Sequence, residues 1–129
     1  MGKMNSEVTA FFKEAGAWIL ATCGDKPNVT TIGLKKIDAD GNLVLWDVFM
    51  KKNKENISKN PNVAVLAFSD KTFQSFQVKG TAVYSTDAAL IKEGDSIAAA
   101  MKLKTKGAVI VTVKEVFVQT PGPDNNKQL

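Results

Sequence analysis

Turn-forming clusters cut this chain into short runs of β-branched and apolar residues, and that punctuation limits its fold more than any other feature. Ala17–Cys23 is an apolar run closed by Gly24-Asp25-Lys26-Pro27. Asn28–Ile37 alternates loosely and reads as a single second strand, and Asp38-Ala39-Asp40-Gly41-Asn42 is a hairpin signal leading into Leu43–Phe49. Asn62–Ser69 reads as a buried strand, and Asp70-Lys71 turns the chain into one long strand over Thr72–Ser85. Gly80 within it marks a bulge or a close approach. A last strand opens at Gly107 and runs to about Gln119, where Pro121-Gly122-Pro123 breaks it. That makes six strands, mostly joined by hairpins and without strand–helix–strand alternation. A small antiparallel barrel or sandwich follows.

Three helical segments interrupt the strands. Ser6 is positioned to cap a helix in which Val8, Phe11, Phe12 and Ala15 share one face, and Gly16 stops it. Met50–Asn60 is rich in lysine, contains Ile57, and ends at Pro61, which suits a short surface helix. Asp87 caps a third helix over Ala88–Met101. The 129 residues form one domain without internal repeats, with 119–129 expected as a C-terminal tail.

Composition excludes several kinds of chemistry. The chain has no histidine, and all 17 of its basic residues are lysine. The usual general base and the commonest zinc ligand are therefore missing. Cys23 is the one cysteine, so no intrachain disulfide, cysteine cluster or iron–sulfur site can form. A lone thiol at the end of an apolar strand, with no imidazole to activate it, is ordinarily a small hydrophobe. Without arginine, a phosphate must be held by lysine, hydroxyls, side-chain amides or backbone N–H groups. The net charge of +4 favours an anionic partner. The lysines nevertheless lie scattered, with no interleaved aromatics of the kind that binds nucleic acid. No apolar run is long enough to span a bilayer, and the first residues lack a signal-peptide core, so the cytoplasm is expected.

Candidate site residues lie mainly around the lysine-rich helix. A strand feeds a polar loop that becomes a helix at Lys51-Lys52-Asn53-Lys54. Backbone N–H groups at a helix start, an ammonium and a side-chain amide can together hold a phosphate, although lysines on surface helices are commonly just solvated. Thr30 and Thr31 point to opposite faces of one strand, so only one of them can look at a given site. Asp47 interrupts an apolar strand; alternation puts it on the solvent face, or else beside a ligand lying along that strand. Trp18, Trp46 and Phe49 are core residues by default.

The order of these segments resembles the FMN-binding split-barrel family, whose namesake is pyridoxamine 5′-phosphate oxidase, and in particular its short bacterial FMN-binding members. The likeness is carried by Trp18-Ile19-Leu20-Ala21-Thr22, Pro27-Asn28-Val29-Thr30-Thr31 and the stretch from Met50 to Val63 with its Asn60-Pro61-Asn62-Val63 ending. Phe76–Ala82 with its Gly80-Thr81-Ala82 ending, and Val116–Pro123, continue it. Asn53 stands where a hydroxyl residue is common in the family.

The resemblance implies a mainly β fold, a six-stranded antiparallel split β-barrel with short flanking helices. It implies FMN as cofactor and a role in oxidoreduction or electron transfer. Lys52 and Asn53 would bind the FMN phosphate, with Thr30 or Thr31 adding a hydrogen bond. Asp47, Val48 and Phe49 would line the isoalloxazine through main-chain groups and packing, with Gln77 at the flavin rim. It further implies a homodimer whose flavins lie at the subunit interface, completed by the partner chain and by the Pro121-Gly122-Pro123 segment. The missing arginines speak against oxidation of pyridoxamine phosphate itself. A relative using deazaflavin or haem is an alternative within the fold; a haem ligand would have to come from Tyr, Cys, Met or Lys. An anion- or nucleic-acid-binding barrel without flavin is the alternative from another class.

Overall fold

The computed structural model describes residues 3–129. Seven antiparallel strands form one sheet in the order β2-β1-β5-β6-β7-β4-β3. They are β1 (Trp18–Cys23), β2 (Pro27–Ile32), β3 (Lys35–Ile37), β4 (Leu43–Asp47), β5 (Asn62–Phe68), β6 (Ser75–Ser85) and β7 (Gly107–Val118). The helices are α1 (Ser6–Glu14), α2 (Lys51–Lys59) and α3 (Ala88–Ala98), the last continued by a 3₁₀ turn at Ala99–Met101.

The mainly β, antiparallel class expected from the sequence is the one observed, with one strand more. The expected strand over 28–37 breaks at Gly33-Leu34 into β2, which pairs with β1, and β3, which pairs with β4. These are the two edges of the sheet, and only Gly33 and Leu34 separate them. Such a link spans roughly 10 Å. A flat sheet of seven strands would place its edges about 28 Å apart, so the sheet must curl until its edges nearly meet. The result is a half-barrel, split between β2 and β3. Trp46 N–H donates to the Leu34 carbonyl at 3.0 Å and ties the crossover to β4.

Hydrophobic alternation supplies the core. Trp18 and Leu20 of β1, Val63, Val65 and Ala67 of β5, and Val109, Val111 and Val113 of β7 all point inward and are buried. α1 packs across this core. Its cap is Asn5, one residue before the expected Ser6, with Asn5 Oδ1 accepting from Val8 N–H at 2.9 Å. Phe12 is fully buried edge-on to Trp18, whose indole N–H donates to the Phe12 carbonyl at 2.9 Å. Burying a Phe side chain stabilises by about 1.5–3 kcal/mol, so a nine-residue helix of modest propensity is held by packing.

A second, smaller core joins Leu34, Val44, Trp46, Ala98 and Ala108 beneath α3. Gly94 permits that approach, because a Cβ there would overlap the Trp46 indole. Asp87 caps α3 as expected, accepting from Leu90 N–H at 3.1 Å. Gly80 sits at a shift of register between β6 and β7, and a Cβ there would meet the Thr112 carbonyl. Residues 119–129, expected as a tail, instead turn back along the end of β7. Asn126 N–H donates to the Val118 carbonyl at 2.7 Å, and Leu129 N–H to the Val116 carbonyl at 2.9 Å. Among the described residues no helix is long and apolar enough to cross a membrane.

Candidate functional site

A cleft of about 510 Å³ opens where the two edges of the sheet approach each other. Its walls come from three places. Thr30 to Leu34 supply the end of β2 and the crossover, and Trp46, Val48, Phe49 and Met50 supply the passage from β4 into α2. Met101 and Leu103, beyond α3, supply the third wall. The lining is apolar and aromatic except at the threonine end, where hydroxyl groups concentrate. Phe49 stands at the rim with 82% of its surface exposed, a large aromatic side chain with nothing over it.

The residues expected to form the site fall into three groups. Thr30, Thr31, Val48 and Phe49 meet in this cleft. Thr30, on the inward face of β2, is half-buried, and Thr31 is exposed. Lys52 is exposed in the first turn of α2, between Met50, which lines the cleft, and the buried Asn53. It precedes Lys59 by two helical turns and so shares its side of α2. Lys59 pairs with Asp25 of the β1–β2 turn at 2.8 Å. Lys52 has no ion-pair partner among the described residues.

Asn53 and Asp47 act behind the cleft. Asn53 is fully buried. Its Oδ1 accepts from Thr22 Oγ1 at 2.6 Å and from Asn28 Nδ2 at 3.0 Å, and its Nδ2 donates to Thr30 Oγ1 at 2.7 Å. With every side-chain polar atom engaged, the amide expected to face phosphate instead fastens α2 to the β1–β2 hairpin. Asp47 is 2% exposed, which corrects the solvent-facing reading. One of its oxygens accepts from Met50 N–H at 2.7 Å and caps α2, whose N-cap residue Met50 offers no side-chain acceptor. The other accepts from the Tyr84 hydroxyl at 2.5 Å. Burial first, and then Asp47, push the Tyr84 phenol above its ordinary range, so Tyr84 remains a donor.

Gln77 lies apart from the cleft. It is on the outer face of β6, where Nε2 donates to Gln119 Oε1 at 2.8 Å, among Ile19, Ala21, Ala64 and Leu66. The sequence reading missed Leu34, Met101 and Leu103 as walls, and gave Trp46 only a core role. The apolar residues Met101 and Leu103 on either side of Lys102 were the one available signal. What holds that wall is tertiary: Asp95 Oδ1 accepts from Thr105 N–H at 2.7 Å. That hydrogen bond is the main cause of the lowered Asp95 pKa. Lys51, Lys54 and Lys106 border a separate cavity of about 420 Å³ beside Asp47.

The donor set fits FMN. A flat aromatic ring suits the apolar walls, and hydroxyls with a nearby ammonium suit a phosphate at one end.

Comparison with known proteins agrees with this architecture. An uncharacterized protein of Methanocaldococcus jannaschii is 37% identical over 105 residues, covering 78% of this chain and 70% of that one. Among solved structures, HupZ of Group A Streptococcus matches with a TM-score of 0.80 at 16% identity, covering 94% of this chain and 98% of HupZ. An FMN-binding protein from Syntrophomonas wolfei matches with a TM-score of 0.74 at 9% identity, over 88% of this chain and 83% of that one. HutZ, the heme storage protein of Vibrio cholerae, matches at 0.68 and 16% identity, over 90% and 94% of the two chains. At these identities the solved structures share the fold. The family model described as pyridoxamine 5′-phosphate oxidase matches residues 4–120, and the chain belongs to that family.

Proposed function

We propose that this protein binds FMN as a homodimer and serves in oxidoreduction or electron transfer. The observation that carries this reading is the cleft itself, apolar and aromatic along its walls and polar at the threonine end. Bound FMN supplies hydride or electron transfer at its ring, chemistry that needs no histidine from the protein. The chain's own contribution is placement. Trp46, Val48 and Leu34 offer a dry wall, Thr30 and Lys52 offer hydrogen bonds to the phosphate, and Phe49 shields the rim.

The dimer is supported by the outer face of the sheet. Ile19, Ala21, Val29, Ala64 and Leu66 form an apolar surface there, and Val29 is 62% exposed. A second copy seated on this face would bury it. With no arginine in the chain, oxidation of pyridoxamine phosphate is not part of the proposal.

The test is the absorbance spectrum of the purified protein, with mass spectrometry of the released chromophore. Flavin bands and the mass of FMN are expected. A Soret band would assign haem instead. A colourless protein that ignores added FMN but binds oligonucleotides with steep salt dependence would replace the flavin reading with the anion-binding one.

A further inference from the structure

The buried amide of Asn53 belongs to a hydrogen-bond chain whose direction can be determined. The chain starts at the Lys26 carbonyl, a group that can only accept. Asn56 Nδ2 lies 3.1 Å from that oxygen and 3.1 Å from Thr22 Oγ1, so it spends its two protons on Lys26 and Thr22. Thr22 Oγ1, accepting from Asn56, gives its own proton to Asn53 Oδ1 at 2.6 Å. Asn28 Nδ2 donates to the same oxygen at 3.0 Å. The other end of the Asn53 amide is therefore Nδ2, which donates to Thr30 Oγ1 at 2.7 Å.

A threonine hydroxyl has one proton and two lone pairs. Thr30 uses a lone pair on Asn53, and no acceptor for its proton exists among the described residues. Thr30 lines the cleft. Its proton is therefore free to be donated into the threonine end of the cleft.

We infer that Asn53 is a positioning residue that holds Thr30 Oγ1 as a hydrogen-bond donor into the cleft, and that the ligand atom it meets is an anionic oxygen. This rests on the flavin reading, under which that atom is a phosphate oxygen of FMN. It also changes the role of Asn53. The side chain acts through Thr30 and touches no ligand. Thr30 rather than Thr31 is the hydroxyl whose orientation is set beforehand, which lowers the cost of ordering it on binding. The exposed Lys52 ammonium, one residue before Asn53 in the first turn of α2, supplies the matching charge.

Asn53→Asp tests the direction. It keeps the shape of the side chain but replaces the donor at Thr30 with an acceptor, so the Thr30 proton turns inward and a lone pair faces the phosphate. FMN and riboflavin affinities are measured by titration for the wild type, Asn53→Asp, Thr30→Val, Thr30→Ser and the Asn53→Asp/Thr30→Val pair, with circular dichroism to check folding. Asn53→Asp and Thr30→Val should each weaken FMN by about tenfold or more, and riboflavin by less than about twofold. Thr30→Ser should restore the preference for FMN. In the Thr30→Val background, Asn53→Asp should add little, because its effect passes through the missing hydroxyl.

If Asn53→Asp weakens FMN as strongly in the Thr30→Val background, it acts by direct repulsion and the inference is overturned. An unchanged ratio of FMN to riboflavin affinity in Thr30→Val would overturn it as well. Asn53→Ala replaces Asn53→Asp in the same cycle if the aspartate variant does not fold; freeing the Thr30 rotor should still lower FMN affinity several-fold, and no change would count against the inference. A wild type that binds neither flavin overturns the flavin reading itself and the phosphate acceptor with it. That outcome is distinct from normal FMN binding with additive variants.

Discussion

Tyr84 reaches from β6 to place its hydroxyl 2.5 Å from Asp47 at the end of β4, while the other Asp47 oxygen caps α2 through Met50 N–H. One buried carboxylate therefore joins two strands to the helix that borders the cleft. Lys54 of α2 adds to the clamp, with its ammonium 4.7 Å from the centre of the Tyr84 ring.

Tyr84→Phe should destabilise the fold by about 1–2 kcal/mol, less than a fully buried bond to a charged group because Tyr84 is only partly buried. The pH dependence has a definite sign. The folded pKa of Tyr84 lies above the unfolded value of about 10, so its contribution is complete below about pH 10 and is lost as pH rises through the folded value. Urea unfolding of both proteins between neutral pH and pH 11 checks this. The gap between them should narrow only above about pH 10.

Lys52→Ala should weaken FMN by roughly ten- to a hundredfold, the value of one charge-assisted hydrogen bond in a chain with no arginine to share the task. Riboflavin, which has no phosphate, should bind as before. Lys59→Ala is the control. Its pair with Asp25 is exposed at the far end of α2, and losing it should leave both affinities unchanged. Equal losses of FMN and riboflavin in Lys52→Ala would mean that the residue supports the fold and not a phosphate.

Gly94→Ala brings a methyl group against the Trp46 indole and Thr105 Cγ2. The indole cannot swing aside cheaply, because its N–H donates to the Leu90 carbonyl at 2.9 Å. Helix propensity favours alanine by about 1 kcal/mol, while overpacking costs about 1–3 kcal/mol. A net loss of stability is expected, with a shift in tryptophan emission as Trp46 moves in the wall of the cleft. A variant more stable than the wild type would show that α3 can retreat freely.

The proposed dimer makes its own demand. Leu66→Asp puts a charge in the middle of the outer apolar face, among Ile19, Ala21 and Ala64. Light scattering should find the wild type dimeric and this variant monomeric, with FMN bound more weakly by the monomer. Obligate homodimers often bury more than about 2,000 Å² in total, so dissociation of the wild type at micromolar concentration is not expected. A flavin-loaded wild-type monomer would overturn the shared cleft.

Local chemistry was legible along the sequence. Turn residues marked most strand ends, Asp87 caps the expected third helix, and Gly80 falls at the irregularity it announced. Of the residues that the likeness to a split barrel implies, Thr30, Thr31, Val48 and Phe49 line one cleft. Each of these features depends on neighbours in the chain or on the order of segments.

What the tertiary structure alone decided concerns partners distant in sequence. Loose alternation over Asn28–Ile37 reads as one strand, and the division at Gly33-Leu34 exists because the two halves pair with different strands, β1 and β4. Asp47 reads as solvent-facing until Tyr84 and the start of α2 cover it. Asn53 reads as a ligand for phosphate until Thr22, Asn28 and Thr30 converge on its amide. A polar side chain is stable in a buried place only when its donors and acceptors are met. Periodicity reports which face a residue occupies, whereas the groups that meet it there are assembled by folding.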